Sequence, residues 1–108
     1  MKKFIIGWMR FKPGTRPEVL AAAAPFMAAT RAEKGCLFFE MTPSPIDPDA
    51  VLVVECFENP EAHDSHDATT HMATFRVVLG RLLVDTHFEF IFADRVEENG
   101  AMFAAPIS

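Results

Sequence analysis

Four segments of the chain are apolar at almost every position and are rich in β-branched and aromatic residues, which is typical of strands. They span residues 3–12, 36–41, 51–58 and 87–94. Two other stretches, residues 17–34 and 60–83, carry apolar side chains at helical spacing. The alternation of these patterns predicts the order strand, helix, strand, strand, helix, strand.

Proline, glycine and capping residues set the predicted boundaries. Pro25 lies inside the first helix, so we expect a kink or one lost hydrogen bond there. Gly35 is predicted to be the C-terminal cap of that helix. Asn59 is predicted to be the N-cap of the second helical stretch. A Thr-Thr pair interrupts this stretch with two good capping residues, so we divide it into helices over residues 60–67 and 71–83.

The element order is that of a ferredoxin-like α+β sandwich, βαββαβ, with a four-stranded antiparallel sheet. The 108 residues fit a single domain with a core over about residues 3–94 and a C-terminal tail over residues 95–108. The helices of this fold cover one face of the sheet, whereas these strands are apolar on both faces. We therefore expect an obligate homodimer in which two sheets pack face to face. Trp8, on the strand face opposite Gly7, is assigned to that interface.

Charge and composition exclude several partners. The formal charge is −5, and the 10 Lys and Arg residues are scattered along the chain, with only Lys2 and Lys3 adjacent, which leaves no basic face for nucleic acid or an anionic membrane. The apolar stretch over residues 20–30 is too short to span a bilayer and contains Pro25. Basic residues interrupt the apolar start of the chain and no cleavage site follows, so we expect a cytoplasmic protein. Cys36 and Cys56 are then expected to be free thiols.

Two segments carry a family resemblance: TRAEKGCLFFEM, residues 30–41, and PDAVLVVECFENPEAHDSHDATTHMATF, residues 48–75. With their Gly-Cys strand opening, Glu-x-aromatic strand end and paired histidines, they resemble the antibiotic biosynthesis monooxygenase family. The resemblance covers about residues 3–94 and implies a dimeric α/β barrel that binds a small aromatic or quinone-like ligand between sheet and helices. Characterised branches oxygenate dihydroxyaromatics without metal or flavin, break down haem, or isomerise a small signalling sugar derivative.

The haem-degrading branch carries Asn on the first strand, Trp on the second helix and His on the third. Gly7, His66 and Arg76 occupy the matching positions here, so haem degradation is not expected. The chain has no tyrosine, and Phe39 stands in the second strand where the family often has one. A phenolic hydroxyl contact to substrate is therefore not expected. Of the two remaining branches the leading hypothesis follows the oxygenating one, which uses O2 with no bound cofactor, and the isomerising one stays an alternative.

Oxygenation without a cofactor needs a base that removes a hydroxyl proton from an electron-rich ring, because the resulting anion can pass an electron to oxygen. A neutral imidazole in a partly apolar pocket suits that task, and His66 and His71 are the candidate bases. Arg76, about one turn beyond His71, is predicted to stabilise the phenolate. Gly7 is predicted to leave room for the ring. The predicted apolar wall consists of Met9, Phe39, Met72 and Phe75.

Structural interpretations of the same residues stay open. His66 and His71 also suit hydrogen bonding at a joint between helices, and the Met and Phe stripe also suits an ordinary core. Glu55 lies inside an apolar strand, where a carboxylate needs a partner. Arg10 or a histidine is the predicted partner, either in a structural ion pair or in proton handling, and Glu55 is placed among the substrate-binding residues.

The leading hypothesis is a cytoplasmic homodimer that oxidises a small hydroquinone or polyphenol with O2, using His66 or His71 as base. The alternatives are a non-catalytic ligand-binding or stress-associated dimer and an isomerase or tautomerase, which would work without oxygen. The spacing of His63, His66 and Asp67 is also compatible with a divalent ion, but no metal site is predicted.

Overall fold

The computed structural model of the protein describes residues 1–99. Its elements in chain order are β1 (Lys2–Phe11), α1 (Arg16–Arg31), β2 (Cys36–Pro43), β3 (Ala50–Phe57), α2 (Pro60–Asp67), α3 (Thr70–Leu82) and β4 (Leu83–Ala93). The strands form one antiparallel sheet in the order β2-β3-β1-β4. This is the ferredoxin-like α+β fold, so the predicted class and the divided second helical stretch are confirmed. No helix in the described part of the chain is long and apolar enough to cross a membrane.

Short polar side chains begin both helices that follow β3. The side chain of Asn59 accepts a hydrogen bond from the backbone N–H of Ala62 at 2.8 Å, as expected of an N-cap. Thr69 caps α3 by accepting from the N–H of Met72 at 3.2 Å, and its hydroxyl donates to the carbonyl of His66 at 2.8 Å. Thr69 thus joins the end of α2 to the start of α3 and fixes the angle at which the two helices leave it.

The end of α1 differs from the prediction. The helix is continuous across Pro25, whose missing N–H removes one backbone hydrogen bond, and it ends at Arg31. Gly35 is therefore not its cap. Instead, the N–H of Cys36 donates to the carbonyl of Glu33 at 3.2 Å, and Gly35, with φ +89°, is the third residue of this turn. Glu33 thus belongs to a turn that follows the helix, and its carboxylate reaches α2 and α3.

The start of β4 also differs from the prediction. The strand begins at Leu83, which pairs with Phe11, and the register shifts before the pair formed by Asp85 and Arg10. Such a bulge bends the strand so that it follows α3 without a loop. The polar residues 85–87 interrupt the apolar pattern, so the sequence did not predict that the strand begins before residue 87.

Alternate residues of β1 point to opposite faces of the sheet. Ile5, Met9 and Phe11 face the helices, are at most 6% exposed, and belong to the hydrophobic core. The opposite face, which we call the outer face, has no helix over it within residues 1–99; residues 96–99 lie beside Phe4 and Phe38 at one end of it, and Ile6 on it is 44% exposed. The apolar side chains of the outer face are Phe4, Ile6, Trp8, Phe38, Leu52, Val54 and Ile91. Trp8 lies on this face, as its position opposite Gly7 predicted.

Candidate functional site

A cavity of about 220 Å³ lies between the sheet and the helices. The four residues predicted to form the apolar wall of a ligand pocket all line it: Met9, Phe39, Met72 and Phe75. Four polar side chains line it as well: Glu55, His63, His66 and Asp67. A largely apolar cavity with a few polar groups is the composition expected of a site for a small organic ligand.

One carboxylate, from Glu33, holds both candidate bases. Its Oε2 lies 2.8 Å from Nδ1 of His66 and 2.5 Å from Nε2 of His71. An ionised carboxylate only accepts hydrogen bonds, so both of these ring nitrogens carry a hydrogen. In neutral His66 the free lone pair is then on Nε2. His66 lines the cavity and its Nδ1 is bound to Glu33, so Nε2 is the ring nitrogen left for a ligand there.

The two candidate bases have different surroundings. His66 is 2% exposed and lies in the cavity wall. His71 lines a separate pocket instead. The rings of Phe26 and Phe75 stack at 4.5 Å, line both pockets and separate them. The structure therefore brings His66 to the cavity, whereas His71 lies outside the cavity wall and is linked to His66 through the shared carboxylate of Glu33.

Glu55 is the buried carboxyl group of the cavity. It is 9% exposed, and its Oε1 has no hydrogen-bond partner among the described residues. Burial, followed by the carboxylates of Asp67 and Glu33, raises the pKa of Glu55 from 4.5 to about 8, against a smaller opposing effect of Lys3. Glu55 is therefore mostly protonated at neutral pH and can donate a hydrogen bond.

The prediction that Arg10 is the partner of Glu55 is wrong. Arg10 lies on the outer face, where its Nε donates to Oδ1 of Asp85 at 2.9 Å. Glu55 pairs with Ile5 and shares its inner face, so the sheet separates the two side chains. No histidine within residues 1–99 takes the place of Arg10, because Oε1 stays without a partner there.

His63 is the second cavity residue with an unpaired polar atom. It is 7% exposed, and its Nδ1 has no hydrogen-bond partner in the described part of the chain. Its Nε2 lies 3.7 Å from Oδ1 of Asp67, which is too long for a hydrogen bond. Burial lowers the pKa of His63, and the charge of Asp67 partly offsets this effect. A neutral ring with its hydrogen on Nε2, towards Asp67, leaves Nδ1 as a free acceptor.

Gly7 and Arg76 lie outside the cavity wall. A Cβ at Gly7 would lie 2.0 Å from the carbonyl oxygen of His87 and 2.6 Å from the ring of Phe88. The space beside Gly7 is thus occupied by β4 and is not open to a ligand. The aromatic ring next to Gly7 is the side chain of Phe88, which lines the cavity. Arg76 is half exposed, and its Nη2 lies 4.0 Å from Oδ1 of Asp67. Arg76 therefore reaches the cavity only through Asp67.

The three residues considered for a metal do not form one group. The ligand atoms of His63 and Asp67 lie within 4.8 Å of one another and of the exposed Asp64, whereas His66 belongs to the separate group around Glu33. In that second group the carboxylate already accepts a hydrogen bond from each imidazole. His66 and His63 thus belong to two different groups of possible ligand atoms, and the group around Glu33 is linked by hydrogen bonds.

The contact of Glu33 with the two histidines was not predicted from the sequence, because the helical spacing places residue 33 in the last turn of a helix. One clue was present. Two buried or partly buried histidines need an acceptor, and Glu33 precedes by two residues the glycine that reverses the chain towards β2. An acidic residue at such a turn is free to reach a neighbouring helix.

The model of the antibiotic biosynthesis monooxygenase family matches residues 4–77. No curated protein matches the chain. A solved structure from Shewanella oneidensis is 28% identical, with a TM-score of 0.77, and the match covers 83% of this chain and 88% of that one.

Two further solved structures share the fold. One, from Mycobacterium tuberculosis, is 23% identical, with a TM-score of 0.79 and coverage of 91% of this chain and 99% of that one. The other is described as an antibiotic biosynthesis monooxygenase and is 24% identical, with a TM-score of 0.77 and coverage of 88% and 100%. Since the family model spans more than half of the sequence, the chain belongs to the antibiotic biosynthesis monooxygenase family.

Proposed function

We propose that the protein is a monooxygenase that uses O2 to oxidise a small hydroquinone or polyphenol, with His66 as the base and no bound cofactor. The observation that carries the proposal is the arrangement of His66. Nδ1 of His66 is hydrogen-bonded to Oε2 of Glu33 at 2.8 Å, and the imidazole ring lies in the wall of a largely apolar cavity. The family name supports monooxygenase chemistry in general, and the substrate class and the base are our proposal.

In the first step, Nε2 of His66 removes a hydroxyl proton from the ring of the substrate. Positive charge develops on the imidazole beside the Glu33 carboxylate, which stabilises it at hydrogen-bond distance. His71 donates to the same carboxylate oxygen and keeps it oriented. The ring oxyanion then passes an electron to O2. The ring itself is the reductant: hydroquinone and O2 give hydroxybenzoquinone and water, so one oxygen atom enters the ring and the other leaves as water with the two hydrogens that the ring loses as it becomes a quinone.

The size and lining of the cavity support a single-ring substrate. Its volume of about 220 Å³ exceeds the ~150 Å³ of an apolar cavity that holds benzene. Phe39 and Phe75 offer aromatic surfaces against which a substrate ring can pack. Apolar surroundings also exclude water, which strengthens the interaction between His66 and Glu33 as charge develops.

We also propose that the protein is a homodimer in which two outer faces pack together. Exposed apolar residues occur on all four strands of this face: Ile6, Phe38 and Ile91 are each more than 40% exposed, and Leu52 on β3 is 36% exposed. In a dimer with a two-fold axis, each copy contributes the same outer face to the interface. Packing the two faces together removes their apolar area from water. Analytical ultracentrifugation at micromolar concentration tests the proposal, and a single protomer mass contradicts it.

His66→Asn is the decisive variant for the reaction. The asparagine amide can still donate to Glu33 from near the position of Nδ1, but it has no basic nitrogen in the place of Nε2. We expect a loss of about 100-fold or more in kcat/KM for hydroquinone oxidation, followed by oxygen consumption. His87→Asn, which changes an exposed histidine on the outer face, is the matched control. Equal rates for wild type and His66→Asn would refute the role of His66.

An isomerase or tautomerase is the second candidate. The observation that favours it is a protonated carboxyl group, Glu55, in the same cavity as the base His66, since such a pair can move a proton from one atom of a ligand to another. Oxygen separates the two candidates. Turnover that continues under argon supports the isomerase, whereas turnover that stops without O2 supports the monooxygenase.

A further inference from the structure

Two buried polar groups of the cavity have no part in the proton transfer to His66. Glu55 and His63 are only 9% and 7% exposed, and each has an atom without a hydrogen-bond partner among residues 1–99. An unpaired buried polar atom destabilises a fold, because it has lost its hydrogen bonds to water and gained none in return. Two such costs at one cavity indicate that a ligand group satisfies these atoms when the cavity is filled.

Both groups lie at the same end of the cavity. Phe57 is the next residue after Glu55 on the inner face of β3, and its ring lies 5.1 Å from the ring of His63. Asp67 acts on both groups, because it lies 3.7 Å from Nε2 of His63 and its charge raises the pKa of Glu55. A polar group of a ligand at this end can therefore meet Glu55 and His63 together.

The two unpaired groups are chemically complementary to a hydroxyl. The protonated carboxyl of Glu55 can donate a hydrogen bond, and Nδ1 of His63 can accept one. A hydroxyl group accepts one hydrogen bond and donates another, so it satisfies both at once. A methyl ether at the same place accepts but cannot donate, and it leaves His63 unpaired.

We infer that Glu55 and His63 form a second polar subsite, which binds the second hydroxyl group of a dihydroxylated ring while His66 receives the first. The rings of His63 and His66 lie 6.1 Å apart, a separation at which each imidazole can meet a different hydroxyl group of one substrate ring. The inference rests on the proposed function for the contact with His66. It adds to that function the two residues that select rings with two hydroxyl groups over monophenols.

Binding under anaerobic conditions tests the subsite without turnover. Calorimetric titrations use three probes of one ring: hydroquinone, 4-methoxyphenol and phenol. We expect wild type to bind hydroquinone at least about tenfold more tightly than the other two, since each analogue leaves a buried group unpaired. In the double variant Glu55→Leu/His63→Phe, whose side chains keep similar shapes, the preference should fall to within about twofold while phenol still binds.

The single variant His63→Phe provides a second measurement if the double variant does not fold. It should reduce the preference for hydroquinone over phenol without reducing the affinity for phenol. An equal affinity of wild type for hydroquinone and its methyl ether overturns the inference, and so does a preference that survives both variants.

The failure of this inference is distinguishable from the failure of the proposed function. If His66→Asn still oxidises hydroquinone while the preference depends on Glu55 and His63, the subsite stands and His66 is not the base. If His66→Asn is inactive while the preference for hydroquinone is unchanged in the Glu55→Leu/His63→Phe and His63→Phe variants, His66 is the base and the subsite is refuted.

Discussion

Replacing Glu55 by glutamine should stabilise the fold much more at pH 8 than at pH 5. The pKa of Glu55 is about 8 in the folded protein, compared with an ordinary value of 4.5. Between pH 4.5 and about pH 8 the carboxyl group of Glu55 is ionised in most unfolded molecules but still protonated in most folded ones. The stability of the wild type therefore falls as pH rises through this window, and a glutamine, which cannot ionise, abolishes this contribution.

The expected difference is large because the side chain is only 9% exposed and solvent screens it little. One pKa unit corresponds to about 1.4 kcal/mol. The interval from pH 5 to pH 8 covers most of the range between the two pKa values of 4.5 and about 8. The advantage of Glu55→Gln over wild type should therefore grow by roughly 3 kcal/mol across that interval. With a urea dependence of about 1–3 kcal/mol per molar, the unfolding midpoints should move apart by about 1 M or more.

Urea unfolding followed by circular dichroism at the two pH values measures this difference. The charges around residue 55, on Asp67, Glu33 and Lys3, are identical in both proteins, so their own titration largely cancels in the comparison. Glu58→Gln is the matched control, because Glu58 follows the same strand but is exposed to solvent. A stability difference between wild type and Glu55→Gln that is the same at pH 5 and pH 8 would refute the assignment of Glu55 as a buried neutral acid.

Two further predictions concern the sheet and the carboxylate that holds the histidines. Gly7→Ala should destabilise the fold by at least about 3 kcal/mol or prevent folding, because its Cβ would lie 2.0 Å from the carbonyl oxygen of His87. Gly80→Ala is its control in thermal unfolding and should stabilise α3 by up to about 1 kcal/mol, since nothing lies within 4 Å of the new Cβ. Glu33→Gln should lower kcat at least about tenfold with little change in KM, because the imidazolium of His66 loses its counter-charge; an unchanged kcat in steady-state assays contradicts this role.

Features decided by neighbouring residues could be predicted from the sequence. In the caps of α2 and α3, Asn59 and Thr69 each bind a backbone N–H three residues further on, so the sequence displays both partners of the interaction. The strands could be placed in the same way, because each is recognised from the apolar residues within it. The order of strands and helices then leaves only a few possible sheet topologies. The fold was therefore predictable in class and order, with errors only at the ends of elements.

The site depends on contacts between distant parts of the chain. Glu33 is 33 residues from His66 and 38 from His71, and only the turn after α1 brings it between them. The two histidines lie on different helices, so their spacing could not tell which one faces the cavity. Arg10 and Glu55 could be assigned to opposite faces only once the register between β1 and β3 was known.

The position of Trp8 also decides what fluorescence can report about this protein. The chain has one tryptophan and no tyrosine, so emission in the near ultraviolet comes almost entirely from a single indole. That indole stacks on His87 at 6.5 Å on the outer face, with the sheet between it and the cavity. Its emission maximum therefore reports the hydration of the outer face. Dilution that separates the two copies of the proposed dimer should shift the maximum to longer wavelength, whereas a small molecule that binds beneath the helices should leave it almost unchanged.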